Sequence, residues 1–332
     1  MWHHAGMRPA FVPGLARLSD KVFTYLQPDG GLGLSNAGLV GSRSDALLVD
    51  TFFDLAHTRR MLDDIARDVT GTIGRVVNTH HNGDHCWGNQ LLPGAEIIGH
   101  RRCAELMRAL PPDALQRLKD LPDTVPAARA LRAGLERFDF RGIEITPPTT
   151  FVPDDGMSLE VDGVRLDLLY VGPAHTAGDV IVHLPAEGVV FTGDVVFRNC
   201  APIGWEGTFA RWIEALERIA ALGAHTIVPG HGPVCGPEAA LEMRDYLAYV
   251  RAESERLFAT GASVEEASLR IDLGPYAEWL ESERIVFNVD RAYRELRGEP
   301  YDKPVDFGGL MVIAQKVRAA HEEAAARRGK AH

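Results

Sequence analysis

The densest group of metal-ligand side chains in this sequence lies in residues 79–85. This segment reads Thr-His-His-Asn-Gly-Asp-His, which places three imidazoles and one carboxylate within six positions. Neutral imidazole nitrogen and carboxylate oxygen are the donors that zinc and similar divalent ions bind in proteins. The apolar residues Val76 and Val77 come just before it, as at the end of a buried strand. The segment therefore predicts a metal site at a strand end.

Three later segments repeat one design: an apolar run, a glycine-containing turn and then one ligand-type residue. Those residues are His175, Asp194 and His231. Each segment alone is a weak signal, because Gly-Asp is a common turn and a single histidine is usually an ordinary core or surface residue. Loops at strand ends present their polar groups at one shared edge of a sheet. Together the four segments predict that their ligand-type side chains converge on one metal site.

As a set, these motifs resemble those of the metallo-β-lactamase superfamily. The resemblance extends over residues 22–237 and includes an upstream strand that ends in Asp50. The family's first motif, His-x-His-x-Asp-His, is matched by residues 80–85, and its later landmarks are matched by residues 174–179, 191–194 and 229–232. The resemblance implies a four-layer αββα sandwich of the α/β class, with the metal at one edge between two similar halves.

The resemblance also implies which residues hold the metal. One ion would be bound by His80, His175 and the residue at position 82, and a second ion by Asp84, His85 and His231, with Asp194 bridging. The predicted metal ligands are therefore His80, Asp84, His85, His175, Asp194 and His231. Zinc is the expected cofactor, as one or two ions, with iron and manganese as the other options.

Position 82 departs from the family pattern, because Asn82 stands where the second histidine of the first motif is expected. An amide oxygen is a harder and weaker ligand than imidazole for borderline metals, and an amide also hydrogen-bonds a metal-bound water. A mononuclear or unequally occupied centre is therefore one outcome to test. His81 is one residue out of register, so we expect it to point away from the site.

The implied chemistry is hydrolysis. A divalent metal lowers the pKa of bound water from 15.7 to about 7 and polarises a carbonyl oxygen, so a metal-bound hydroxide is available at neutral pH. The resemblance implies a small ester, thioester or lactone substrate. Asp84 would be the catalytic residue that orients the water and carries its proton. Asp50 is expected either to fix an imidazole tautomer or to be a strand-end turn residue.

Two alternatives stay open. The altered first motif is compatible with a non-hydrolytic enzyme on the same scaffold, either an iron-dependent oxidase or dioxygenase or a lyase or cyclase of a specialised metabolite. It is also compatible with a binding protein that has a degenerate metal centre. Elemental analysis separates the three cases, because zinc favours the hydrolase, iron the oxidase and no metal the binding protein.

Composition is that of a globular enzyme. The chain has 332 residues with 45% hydrophobic content, enough for one large domain with additions or two modest domains. A net charge of -11 weighs against a nucleic-acid partner, which needs clustered Lys and Arg. No apolar run is long enough to cross a membrane, and residues 1–9 lack a signal-peptide pattern. We therefore expect a cytoplasmic enzyme with a small-molecule substrate and no membrane partner, and a homodimer stays open.

The extent of the family resemblance, and the helical and charged character of the sequence after residue 237, divide the chain in two. A metallo-β-lactamase-like domain is predicted over residues 18–260, with a helical insertion at about 101–140, and a mainly helical C-terminal extension over residues 261–332. The extension would cover the metal edge, form a dimer surface or simply pack. Strand periodicity predicts one strand over residues 161–171.

Four residues beside the motifs predict a substrate pocket. Trp87, Phe197 and Trp205 would supply apolar contacts in this pocket, and Arg198 would be a cationic anchor for an acidic substrate. Alternatively, Arg198 is a surface residue, because an arginine that follows a strand more often lies at the surface.

Overall fold

Two β-sheets pack face to face, and each carries helices on its outer side. The structure is a computed structural model that describes residues 12–28, 31–42, 45–109 and 111–329. Apolar residues from both sheets, such as Val40 and Leu47 of one and Leu166 and Leu184 of the other, form the core between them. This is the predicted four-layer αββα sandwich, and the fold class is confirmed.

The first sheet contains seven strands in chain order. Neighbouring strands are antiparallel from β1 to β4 and parallel from β4 to β7. The strands are β1 (Gly14–Arg17), β2 (Val22–Leu26), β3 (Ala37–Gly41), β4 (Ala46–Val49), β5 (Ile73–Val77), β6 (Glu96–His100) and β7 (Thr150–Val152).

The second sheet contains five strands in the order β12-β11-β10-β9-β8, and only β11 and β12 are parallel. The strands are β8 (Met157–Val161), β9 (Val164–Tyr170), β10 (Val180–Leu184), β11 (Val189–Phe197) and β12 (Thr226–His231). The single strand predicted over residues 161–171 is wrong at its start. Asp162 and Gly163 have φ of 50° and 76°, a tight-turn conformation that separates β8 from β9.

Helices cover both outer faces. The described helices are α1 (Leu55–Asp68), α2 (Gly83–Cys86), α3 (Arg101–Leu106), α4 (Pro112–Asp120), α5 (Pro126–Leu135), α6 (Phe209–Ala220), α7 (Glu238–Phe258), α8 (Val264–Arg270), α9 (Ile285–Leu296) and α10 (Phe307–Gly329). Helix α1 begins at Asp54, whose carboxylate accepts from the amide of His57, and buries Met61 and Ile65 against the first sheet. Helices α6 and α7 cover the second sheet in the same way.

The predicted insertion and extension meet each other. Helices α3, α4 and α5 occupy the insertion, as expected from its composition, and α5 packs against α10 of the extension. Helix α7 packs against α9, so residues on both sides of position 260 share one core, and the division at 260 stays a prediction. None of the helices in the described ranges is long and apolar enough to cross a membrane. Residues 1–9, used for the signal-peptide expectation, lie outside the described residues.

Candidate metal centre

The structure brings all six predicted ligands together where the two sheets meet. Three of them belong to the first half of the chain and three to the second. His80 follows β5, Asp84 and His85 lie on α2, His175 follows β9, Asp194 lies within β11, and His231 ends β12. Segments at or just after strand ends supply most of the cluster, as the motifs predict, although Asp194 lies within a strand and Asp84 and His85 lie on a short helix.

Asp194 lies at the centre of the cluster. Its Oδ1 is 3.0 Å from Nε2 of His85, and its Oδ2 is 3.3 Å from Nε2 of His231. The same Oδ2 is 3.5 Å from Nε2 of His175 and 3.8 Å from Nε2 of His80. One carboxylate therefore faces four imidazoles, which is the arrangement that a bridging ligand requires.

Five of the six side chains form two overlapping groups, in each of which the ligand atoms lie within 4.8 Å of one another. One group contains His80, His85 and Asp194, and the other contains Asp84, His85 and His231. Asp84 reaches the second group through Oδ2, which is 3.4 Å from Nε2 of His231. The second group contains the three residues that the family resemblance implies for the second ion, whereas the first group includes His85 in place of His175, which lies 3.5 Å from Asp194.

Backbone carbonyls fix the tautomers of two histidines. Nδ1 of His175 lies 3.0 Å from the carbonyl oxygen of Ile203, and Nδ1 of His231 lies 2.9 Å from that of Leu34. A carbonyl oxygen only accepts, so each Nδ1 carries the proton and donates it. Nε2 of both rings is therefore the atom that is directed at the cluster.

Asp50 fixes the other two rings from behind. Its Oδ2 accepts from Nδ1 of His85 at 2.9 Å and from the hydroxyl of Thr79 at 2.7 Å. Because the Thr79 hydroxyl donates to Asp50, its oxygen accepts from Nδ1 of His80, 3.0 Å away. Asp50 also has a φ of 64°, so it is a strand-end turn residue as well. Both descriptions considered for Asp50 apply to its geometry.

The cluster contains polar atoms that the protein itself does not satisfy. Nε2 of His80, His85 and His175 and Oδ1 of Asp194 are buried and have no hydrogen-bond partner. Buried polar atoms are normally paired, so a group of them directed at one point is suited to hold an ion. Imidazole nitrogens with carboxylate oxygens are the donors of zinc and related divalent ions. The residues present fit such an ion.

Electrostatics favour a cation at this point. Burial raises the pKa of Asp194, but the neighbouring imidazoles of His231 and His85 outweigh it and hold the pKa well below its ordinary value. Burial likewise opposes the charged form of His231, yet the carboxylate of Asp194 raises its pKa to about 9. Burial lowers the pKa of His175 to about 4, so this ring stays neutral. The cluster thus combines a charged carboxylate with a neutral nitrogen donor.

The turn that carries His231 is held against the first half of the chain. Nδ2 of Asn36 donates to the carbonyl oxygens of Pro229 at 2.9 Å and Gly232 at 2.8 Å. A Cβ at Gly230 would lie 1.9 Å from Oδ1 of Asp194, so only glycine allows this close approach. Asn36 was not recognised from the sequence, because a lone asparagine between strands carries no specific signal.

A cavity of about 520 Å³ opens in front of the cluster. Trp87, Phe197 and Trp205 line it, as predicted. The prediction of Arg198 as a cationic anchor is wrong, because Arg198 is absent from the lining and forms an ion pair with Glu242.

Position 81 also differs from expectation. His81 lines the cavity instead of pointing away, and its Nε2 is 3.4 Å from Oε1 of Glu206. Glu206 in turn accepts from the backbone amide of Ala177 at 3.0 Å. Asn82 directly precedes α2 and also lines the cavity, and its side chain does not cap that helix. Asn82 therefore lies at the cavity, between the ligands His80 and Asp84 in the sequence.

Comparison with known proteins agrees with this geometry. Residues 30–231 match the model of the metallo-beta-lactamase superfamily. This chain belongs to the metallo-beta-lactamase superfamily. The metallo-beta-lactamase type 2 of Bacteroides fragilis is 25% identical over 235 residues, which cover 68% of this chain and 81% of that protein. The hydroxyacylglutathione hydrolase of Maricaulis maris is 26% identical over 217 residues, which cover 64% of this chain and 60% of that protein.

A solved structure shows that the shared fold extends further than the family model. The sec-alkylsulfatase Pisa1 from Pseudomonas sp. matches with a TM-score of 0.64 at 18% identity, covering 89% of this chain and 52% of that chain. The share of 89% is reached only by including residues from the C-terminal extension. This chain thus spans about half the length of the alkylsulfatase that it matches. At this identity the likeness concerns the fold alone.

Proposed function

We propose that this superfamily member is a metal-dependent hydrolase that cleaves an ester, thioester or lactone bond. The chain is an enzyme of the metallo-hydrolase type, and its relatives include hydrolases. The observation that supports the specific reaction is the set of partnerless Nε2 atoms of His80, His85 and His175, in a cluster whose members His175, Asp194 and His231 line a substrate-sized cavity. Such a set binds an ion at the place where a substrate arrives.

The ligands divide into two ion positions. His80, His175 and Asp194 would hold one ion, with the amide of Asn82 beside it. Asp84, His85 and His231 would hold the other, with Asp194 shared. A bound divalent ion lowers the pKa of a water ligand to about 7 and polarises a carbonyl oxygen.

Asp84 is the residue proposed to move the proton. Its side chain is 13% exposed and lines the cavity, whereas the imidazole of His85 behind it is fully buried. Its backbone carbonyl accepts from the hydroxyl of Ser35 at 2.5 Å, which holds the start of α2 in place. From this position Asp84 orients the attacking water, accepts its proton and passes it to the leaving group.

The test combines metal analysis with a substrate screen. We expect the purified full chain to contain zinc, to lose activity with a chelator, and to regain it when zinc is returned. The screen contains p-nitrophenyl acetate, an acyl thioester, a lactone, a β-lactam and a linear alkyl sulfate, the last because two similar proteins are alkylsulfatases. Cleavage of the sulfate alone would support a hydrolase but would show that the bond it cleaves is a sulfate ester and not an acyl bond. Iron with no hydrolysis would contradict the proposal and favour an oxidase, and absence of any metal would favour a binding protein.

A further inference from the structure

The cavity in front of the metal cluster has two unlike walls. One wall carries the ligands, and the opposite wall is built from aliphatic side chains of the insertion, which we call the apolar wall. Its members lie on or next to α3, α4 and α5, namely Leu106, Met107, Leu115, Leu118, Leu131 and Leu135. Nothing in the hydrolytic chemistry of the cluster requires such a wall, so it has to be explained by what it binds.

The apolar wall is firmly packed. Leu131 and Leu135 are each only 1% exposed, and they belong to one cluster with the aromatic side chains of Phe53 and Trp87. The rings of Phe53 and Trp87 stack 5.1 Å apart and line the cavity beside the start of α2. The wall therefore reaches from the metal cluster into the insertion without interruption.

The C-terminal extension closes the same space. Val305 and Phe307 line the cavity from the extension, and Phe307 packs against Trp205 with ring centroids 5.8 Å apart. The cavity is therefore bounded by metal ligands, by the insertion and by the extension. A cavity with apolar walls of this kind gains affinity from burying apolar ligand surface.

Charged residues at the rim already have partners of opposite charge. Lys303 is 3.0 Å from Glu299, and Asp302 is 3.2 Å from Arg102. Arg284, which also lines the cavity, is 2.5 Å from Glu281. Because these ion pairs satisfy the rim charges, the part of the cavity away from the ligands suits an uncharged group.

We propose that the apolar wall binds a neutral aliphatic acyl chain of the substrate, with its scissile carbonyl at the metal cluster. The reaction rests on the proposed hydrolase function. Water adds through its oxygen to the acyl carbon, the bond from that carbon to the leaving oxygen or sulfur breaks, and Asp84 carries the proton to the leaving group. The products are the fatty acid and the free alcohol or thiol.

Chain length gives a quantitative test. The full chain is loaded with zinc, and kcat/KM is measured for p-nitrophenyl esters from acetate to decanoate. Each methylene that moves from water to the wall should raise kcat/KM about three- to fourfold until the wall is filled. If acetate is hydrolysed but kcat/KM stays flat along the series, the apolar wall does not bind the chain, while the hydrolase proposal remains.

A variant pair on one helix shows whether the wall is responsible. Ala114 on α4 lines the cavity, so Ala114→Phe should reduce the ratio of decanoate to acetate kcat/KM at least tenfold, by about the gain from two methylenes. Arg117 lies on the same helix with 67% of its side chain exposed, outside the cavity lining, so Arg117→Phe should leave the ratio unchanged. If the ratio of decanoate to acetate kcat/KM is the same in Ala114→Phe as in Arg117→Phe, the proposal is overturned.

A binding measurement separates this proposal from the hydrolase proposal. If none of the screened substrates is cleaved, the hydrolase assignment fails, but the wall is still testable by thermal unfolding with decanoate and with acetate. Decanoate should raise the melting temperature of the wild type more than acetate does, and this difference should shrink in Ala114→Phe. Equal effects of the two carboxylates in the wild type would refute the assignment of the wall.

Discussion

The ligand wall and the apolar wall of the cavity are made in different ways. The ligand wall is held by directional hydrogen bonds, such as those from Thr79 and His85 to Asp50. The apolar wall is held by packing among side chains such as Leu131 and Phe53. The two proposals thus assign catalysis and substrate selection to separate parts of this chain, so we expect that each can be altered without loss of the other.

The largest expected effect lies in the ligand wall. Asp84→Asn should keep the fold but reduce kcat by about 10²- to 10⁴-fold, because it weakens a ligand and removes the proton carrier. The rate is measured after zinc content and circular dichroism have been matched to the wild type. Asp113→Asn, on the exposed face of α4, is the control. A folded, zinc-loaded Asp84→Asn enzyme with wild-type turnover would remove Asp84 from the mechanism.

A smaller effect, a loss of zinc affinity, is expected at Asp50, which lies behind the ligands and is hydrogen-bonded to His85. In Asp50→Asn, the new amide would offer an N–H to Nδ1 of His85 and favour the tautomer whose Nε2 cannot bind metal. Zinc affinity should fall about 10- to 100-fold, and activity should recover at higher zinc concentration. Competition titration with a zinc indicator measures the affinity, and Asp167→Asn on the outer part of β9 is the control. Unchanged zinc affinity would mean that Asp50 acts only as a turn residue.

A substitution at position 82 should raise the metal affinity, whereas Asp50→Asn should lower it. Nitrogen donors suit borderline metals better than an amide oxygen, so stepwise titration of the wild type should reveal one tight and one weaker equivalent. Asn82→His should strengthen the weaker equivalent about tenfold, since imidazole replaces the amide where that side chain faces the cavity. Two equally tight equivalents that the substitution leaves unchanged would show that Asn82 is already a competent ligand.

The smallest effect is expected at the rim of the apolar wall. Arg102 and Asp302 join the insertion to the extension, but their side chains are 38% and 43% exposed. Arg102→Ala should change the free energy of unfolding by less than about 1 kcal/mol, whereas Leu131→Ala in the packed wall should cost about 2–5 kcal/mol. Urea unfolding of both variants gives the comparison, and a larger cost for Arg102→Ala would mean that ion pairs hold this wall together.

The same contrast explains what the sequence could predict. The ligands stand in short local motifs after strands, and β4 ends at Val49, directly before Asp50, where the sequence predicts the end of a strand. Leu118 and Leu131 have the spacing of any buried helix face, so nothing in their pattern distinguishes a substrate wall from a core. Contacts between distant segments, such as α5 with α10, are set by tertiary packing that local periodicity does not encode. Arg198 was misjudged for this reason, because its partner Glu242 lies on a separate helix.

The hydrogen bonds that Asn36 donates to the His231 turn have a consequence for the way in which the protein unfolds. Its amide joins the first half of the chain to both sides of the His231 turn, at the edge where the six ligands also meet. An ion bound there would add a cross-link between the two sheets at the edge that Asn36 already fastens. We therefore expect separation of the sheets to start from the opposite edge, and the metal to slow global unfolding and proteolysis more than it stiffens the native state.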